Sequence, residues 1–170
     1  ENIQEAVDLW ISDQAAAEEA YGNISTWDTA CITDMSELFE NYSDFNDDIT
    51  NWNTSNVTNM SNMFRYAESF NQDIGSWDTT SLNNIQGMFD HASSFNQNVD
   101  AWDISNVFST AYSFAYATSF NQPLESWDTS NVQNMGYMFD GASEFNQDIS
   151  NWNTSNVNHM ENLFAGASTF

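Results

Sequence analysis

Apolar and polar residues recur along this chain with a fixed step of 25 positions. The tryptophans mark it first, at Trp27, Trp52, Trp77, Trp102, Trp127 and Trp152, with no insertion or deletion in the series. Two phenylalanine columns keep the same step: Phe39, Phe64, Phe89, Phe114, Phe139 and Phe164, and Phe45, Phe70, Phe95, Phe120, Phe145 and Phe170. A period in this range means an array of units, each too small to bury its own apolar face, that stack on one another. Function is therefore to be sought in columns of equivalent residues.

Each unit divides into two halves. In the first, the column Ile24, Ile49, Ile74, Val99, Leu124 and Ile149 is flanked by polar residues, which predicts a short strand near 73–75 paired in parallel with the next coil. In the column Thr29, Thr54, Thr79, Ile104, Thr129 and Thr154, one copy is Ile, which predicts that these side chains face inward. In the second half, Val57, Met60, Met63, Phe64 and Ala67 suggest the stripe of a short helix, with Thr54, Ser55 or Asn56 as its cap. Residues 1–22 depart from the repeat. Ile3, Ala6, Val7, Trp10 and Ile11 make an apolar stripe, and Gly22 is a helix stop, so these residues predict an N-terminal helical cap. The expected fold is an α/β solenoid with 25-residue repeats, short parallel strands on one face and short helices on the other. Residues 23–170 would form about six coils. The end at Phe170 is expected to be uncapped, either cut from a longer protein or open to a head-to-tail neighbour.

The column Asn46, Asn71, Asn96, Asn121 and Asn146 predicts an internal amide ladder that satisfies backbone groups left bare by a tight turn. Together with the six tryptophans it forms the structural set of the chain. The column Asp28, Asn53, Asp78, Asp103, Asp128, Asn153 has two readings. Asx turns onto backbone N–H groups are the first, and calcium bridging Asp28, Asp78, Asp103 and Asp128 is the second, although no loop of EF-hand type is present. The fourth coil breaks the pattern: Thr110 and Ser113 replace apolar residues of their columns, while Phe108, Tyr112 and Tyr116 fall four apart, with Tyr137 in the column of Tyr112. These four aromatics are either a contact patch for a partner or rings that roll inward to fill the lost volume.

The charge is extreme: 25 acidic residues against Arg65 as the only Lys or Arg give a net −24 and a pI near 4.1. Such a surface repels phosphate backbones and anionic lipids, so neither nucleic-acid nor membrane-surface binding is expected, and with no run of about 18 apolar residues no membrane insertion is expected either. Cys31 is the only cysteine, which removes an internal disulfide. His91 and His159 stand in different columns without a partner at metal-ligand spacing, and no catalytic motif is found, so an enzyme is not expected. Asn-x-Ser/Thr triplets at Asn23, Asn41, Asn53, Asn56, Asn59 and Asn153 are N-glycosylation acceptors if the chain is secreted by a eukaryote, or chance in a sequence so rich in these residues.

The phrase WNTSNVTNMSNMF (52–64), with its variants at 127–139 and 152–164, resembles the repeat of the bacterial surface protein family, a branch of the BspA-like leucine-rich repeats. The segment AVDLWISDQAAAEEAYGNISTWDT (6–29) is similar to the opening of secreted members from unicellular eukaryotes. The resemblance implies a leucine-rich-repeat-like right-handed solenoid, a surface or extracellular location, a structural or adhesive role and no catalytic residues; no cofactor is expected apart from the calcium weighed above. It leaves two functional expectations: a structural or adhesion protein, alone or as a head-to-tail filament of its own copies or of neighbouring repeats, and a module that recognises a protein or glycan through the sheet face or the fourth-coil aromatics.

Overall fold

The computed structural model describes residues 2–170. Helix α1 (Ile3–Ser12) opens the chain; Asn2 Oδ1 accepts from the Gln4 N–H and caps it. Asp13 ends α1 and caps α2 (Gln14–Tyr21) by accepting from the Ala16 N–H, and Gly22, at φ 77°, closes α2. Helix α1 buries Ala6, Val7 and Trp10, whereas Ile11 of the apolar stripe lies exposed. The helix is tied to the first coil by Trp10 Nε1 on Asp47 Oδ2 at 2.7 Å and by the Tyr42 hydroxyl on Asp8 Oδ1 at 2.8 Å. Trp10 meets Trp27 edge to face at 5.8 Å. Among the described residues, no helix is long and apolar enough to cross a membrane.

Beyond Gly22 the α/β solenoid read from the sequence is not what forms. Apart from one 3₁₀ turn at Ile24–Thr26, the described residues contain no further helix and no strand. Parallel pairing is reduced to isolated bridges, one residue per coil, running through Asp34, Asn59, Asn84, Ser109, Asn134 and His159. The segments near 73–75 and 55–64, expected as strand and helix, are irregular chain and turns, with a single bridge residue at Asn59.

Backbone bonding explains the difference. Within a coil, apolar residues three apart close turns: the Trp52 N–H donates to Ile49 O, Val57 to Thr54, Met63 to Met60, Ala67 to Phe64 and Phe70 to Ala67. Each turn carries two residues outside and keeps its first and fourth residues inside. The alternating N–H groups of 35, 37, 39 and 41 donate instead to the carbonyls of 59, 61, 63 and 65 in the next coil. An α-helix needs every N–H for the carbonyl four residues back, so a chain that commits every second N–H to its neighbour cannot be one. The outer corner of two of these turns has positive φ at residues other than glycine: Asn62, Tyr112 and Tyr137 in one column, Asn41, Tyr66, His91 and Tyr116 in another.

Successive coils nevertheless stack in register. Rings of the first phenylalanine column lie 5.5 to 5.7 Å apart, and those of the second 5.7 to 6.0 Å. The two columns also meet within a coil, as Phe64 on Phe70 at 3.8 Å. One hydrophobic core runs from Val7 to Phe145, with Trp152, Val157, Leu163 and Phe164 packed against its end. Each fully buried ring adds roughly 1.5–3 kcal/mol by leaving water. Among the described residues, every buried side-chain N or O atom has a hydrogen-bond partner.

Candidate functional site: an aromatic and acidic ridge on the stack

The structural columns hold the surface in place. Each Asn Oδ1 accepts the backbone N–H of the equivalent residue one coil on: Asn46 from Asn71, Asn71 from Asn96, Asn96 from Asn121 and Asn121 from Asn146, at 2.9 to 3.0 Å. A glutamine in each following coil, Gln72, Gln97, Gln122 or Gln147, donates to the same oxygen. Sequence reasoning passed over that glutamine column, although it stands beside the asparagines with the same step. Trp52, Trp77, Trp102, Trp127 and Trp152 each send Nε1–H to the carbonyl of Ile24, Ile49, Ile74, Val99 or Leu124 in the preceding coil, while Trp27 uses Gly22 O. Thr29, Thr54, Thr79 and Thr129 are buried with Ile104, and the hydroxyls of Thr29, Thr54 and Thr129 donate to carbonyls of the next coil.

The calcium candidates are engaged by the backbone. Oδ1 of Asp28, Asp78, Asp103 and Asp128 accepts the N–H two residues on, at 2.9 to 3.1 Å. The hydroxyls and N–H groups of Thr80 and Ser130 hold the Asp78 and Asp128 carboxyls below the usual range. Among the described residues, no group of three or more His, Cys, Asp and Glu is arranged to hold a metal ion. Of the sequon residues, Asn56 and Asn59 use Nδ2 to reach Ala30 O and the Asp34 carboxylate, and Asn23 uses it on Glu18. Asn53 and Asn153 are exposed and engage Oδ1 with the N–H of Ser55 and Ser155, and Asn41 is exposed at a turn corner.

The fourth coil keeps its rings outside. Phe108 is 50 % exposed, Tyr112 40 % and Tyr116 44 %, while Ser113 is fully buried and donates to Ile85 O at 2.9 Å. A small hydroxyl with a carbonyl to bond therefore fills the place of a methionine, and no ring turns inward. Tyr112 stacks on Tyr137 with centroids 4.7 Å apart and planes 3° from parallel. Tyr116 begins no stack of its own: it lies on His91, which lies on Tyr66, both at 4.4 Å. That second row escaped sequence reasoning because its members, Tyr, His and Tyr, repeat no residue type, although 66, 91 and 116 keep the step of 25. Phe108 belongs to neither stack.

Carboxylates crowd this ridge. Asp90, nearly buried, accepts from Arg65 Nε at 3.1 Å through Oδ2, and its Oδ1 lies 2.6 Å from His91 Nδ1. The charge of Asp140 raises the Tyr116 hydroxyl above its ordinary pKa; desolvation raises that of Tyr112, with Tyr137, Glu161, Asp90 and Asp140 adding to it. A separate groove of ≈ 300 Å³, lined mainly by Ile3, Ala6, Tyr21, Trp27 and Ile32, lies where the two helices meet the first coil.

The family described as "Mycoplasma protein of unknown function, DUF285" has a sequence profile that matches residues 11–119 and 97–170, nearly the whole chain. The chain belongs to that family. No curated protein and no solved structure matches it. Membership in the DUF285 family agrees with the 25-residue repetition and brings no residue role with it.

Proposed function

We propose that this chain is a surface-displayed or secreted repeat protein that serves in adhesion, with the fourth-coil ridge as its contact face and no catalytic role. The observation that carries the reading is the placement of Phe108, Tyr112 and Tyr116 in water, in the one coil whose apolar columns are broken. Large rings exposed on one coil of a strongly acidic chain are a mark of a contact surface. The likeness of residues 52–64 to bacterial surface protein repeats supports the location, and the stacked, fully bonded columns supply the stiffness that a displayed scaffold needs. The partner is a protein or a glycan; among the described residues there is no sheet face of the kind expected from sequence to receive it. Head-to-tail association of copies into a filament belongs to the same reading, and scattering that rises with concentration would support it.

Antibody labelling of intact against permeabilised producer cells tests display. Beads coated with the intact chain are expected to bind cells or matrix, and to lose that binding when Phe108, Tyr112 and Tyr116 are changed together to Ser, Asn and Asn. Equal adhesion by both bead types would remove the ridge from the reading.

A further inference from the structure

Four successive coils are received at one corner by the coil before them. The N–H groups of Ser69, Ser94, Ser119 and Glu144 donate to the carbonyls of Ser43, Glu68, Ser93 and Thr118, at 2.9 to 3.3 Å. The hydroxyls of Ser93, Thr118 and Ser143 reach the carbonyls of Glu68, Ser93 and Thr118 as well. Two residues after each of those N–H groups, an Asn N–H takes the Oδ1 of the preceding ladder asparagine. The receiving segment therefore offers a main-chain carbonyl and, three residues on, an asparagine oxygen, as Glu68 and Asn71 do, or Ser93 and Asn96.

The first coil carries the same donors, but helices α1 and α2 stand before it in place of a coil. Among the described residues, nothing accepts the Ser43 hydroxyl, the Asp44 N–H or the Asn46 N–H, and all three residues are exposed. A groove of ≈ 420 Å³ opens at this corner, between Trp10, Ile11 and Gln14 of the helices and Ser43, Asp44 and Asp47 of the coil. Ile11 gives it an apolar wall that is 39 % exposed. Phe45, which also lines the groove, is buried, so a ligand lies along the corner rather than sending a ring into the core. Asp44 and Asp47, in a chain of net charge −24, favour a ligand with positive charge beside its acceptors.

We propose that this groove binds an extended, basic-flanked peptide segment of a protein partner, which carries an asparagine three residues after the carbonyl that docks. The carbonyl accepts the Ser43 hydroxyl and the Asp44 N–H, the asparagine Oδ1 accepts the Asn46 N–H, and the residue before the asparagine lies on Ile11. The partner's main chain thus continues the ladder by one rung, as an added strand extends the edge of a sheet. A main-chain carbonyl and a side-chain amide at this separation are what a peptide supplies, and what the chain supplies to itself at the next four corners. The groove shares no residue with the fourth-coil ridge, so either can fail without the other.

Titration of the isotope-labelled intact chain, followed by the NMR signals of its amides, tests this. The probe is the peptide Lys-Lys-Ser-Ser-Phe-Asn-Gln-Lys-Lys, which sets the corner of residues 93–97 between lysines. The amides of Asp44 and Asn46 are expected to move downfield, while those of Ser94 and Asn96, already bonded within the stack, stay in place. A scrambled peptide of the same composition and charge binds about tenfold more weakly, and replacing the probe's asparagine by alanine costs about threefold to tenfold, the worth of one net hydrogen bond. Ile11→Ser and Ser43→Ala, both at exposed positions, weaken binding and leave the remaining amide signals unmoved. No binding, equal binding of the scrambled peptide, or shifts that miss Asp44 and Asn46 overturn the proposal. So does movement of those two amides with protein concentration alone, which would give the corner to a second copy, or with N-acetylchitotriose in place of the peptide, which would give it to a glycan.

Discussion

Removing the acceptor at Asn96 tests the amide ladder quantitatively. Its Oδ1 takes two hydrogen bonds, from the Asn121 N–H at 3.0 Å and from Gln122 Nε2 at 2.9 Å, both in partly buried surroundings. Asn96→Ala leaves the Asn121 N–H without its acceptor, and a donor stranded in this way costs about 1–3 kcal/mol, towards the lower end where water still reaches it. Gln122 swings to solvent at a smaller cost, so a total of about 2 kcal/mol is expected. For a chain of this length, each kcal/mol lowers Tm by about 2–4 °C, which gives a drop of about 4–8 °C. Asn96→Asp keeps the oxygen and the shape, and accepts the same two donors with a charge, so it should recover most of the loss. Thermal unfolding of the three proteins, followed by tryptophan fluorescence and by calorimetry, gives the comparison. A Tm for Asn96→Ala within ~1 °C of the parent, or an Asp variant as damaged as the Ala variant, would refute the claim that this oxygen holds adjacent coils together.

Acid provides a second test. The carboxyls of Asp48, Asp78 and Asp128 are held low by bonds from the hydroxyl and N–H two residues on, and that of Asp148 by the N–H and hydroxyl of Ser150. Groups whose folded pKa is depressed contribute stability above their unfolded value, here 3.8, and lose it as pH falls through the folded value. Melting in high salt should therefore weaken below that value, and Asp→Asn at 78 and 128 should flatten the decline, since Asn53 and Asn153 make the same turn without titrating. Gly141→Ala places a Cβ 2.6 Å from the Tyr116 ring at a backbone φ of 69°; a loss of about 1–3 kcal/mol in a chemical melt is expected, and no loss would mean that Tyr116 moves freely. Chelator should leave the thermal transition within ~1 °C, because Asp28, Asp78, Asp103 and Asp128 already spend Oδ1 on the backbone; a fall that added calcium restores would reinstate the calcium bridge.

The repetition and the identity of the inner columns were legible because burial is decided position by position: Trp52, Phe64 and Phe70 fall inside whatever backbone carries them. Local conformation was not. Val57, Met60, Met63, Phe64 and Ala67 read as a helix stripe because i, i+3 and i+7 are present, yet Ile49 to Trp52, Thr54 to Val57 and Ala67 to Phe70 keep a step of three, the spacing of turns closed by an i to i+3 bond. A stripe wound at 3.6 residues per turn would have drifted off the core over that distance. The intended strand at Ile74 failed for the same reason: its carbonyl is taken by the Trp77 N–H and by Trp102 Nε1. Of the ridge, Phe108, Tyr112, Tyr116 and Tyr137 could be named from sequence, since they break a column. Tyr66 and His91 could not, because nothing in a Tyr, His, Tyr series says that its members occupy left-handed corners with their rings face to face.

Because each coil offers its neighbour the same carbonyls, the same asparagine oxygen and the same ring edges, any coil is a valid seat for any other. Excision or duplication of a block of 25 residues in the interior would rejoin the same backbone rungs, with mismatches confined to side chains fitted to one neighbour, such as Gly141 under Tyr116. Length in such a protein is then free to drift by whole modules through unequal recombination, while a single-residue insertion would throw every later column out of line.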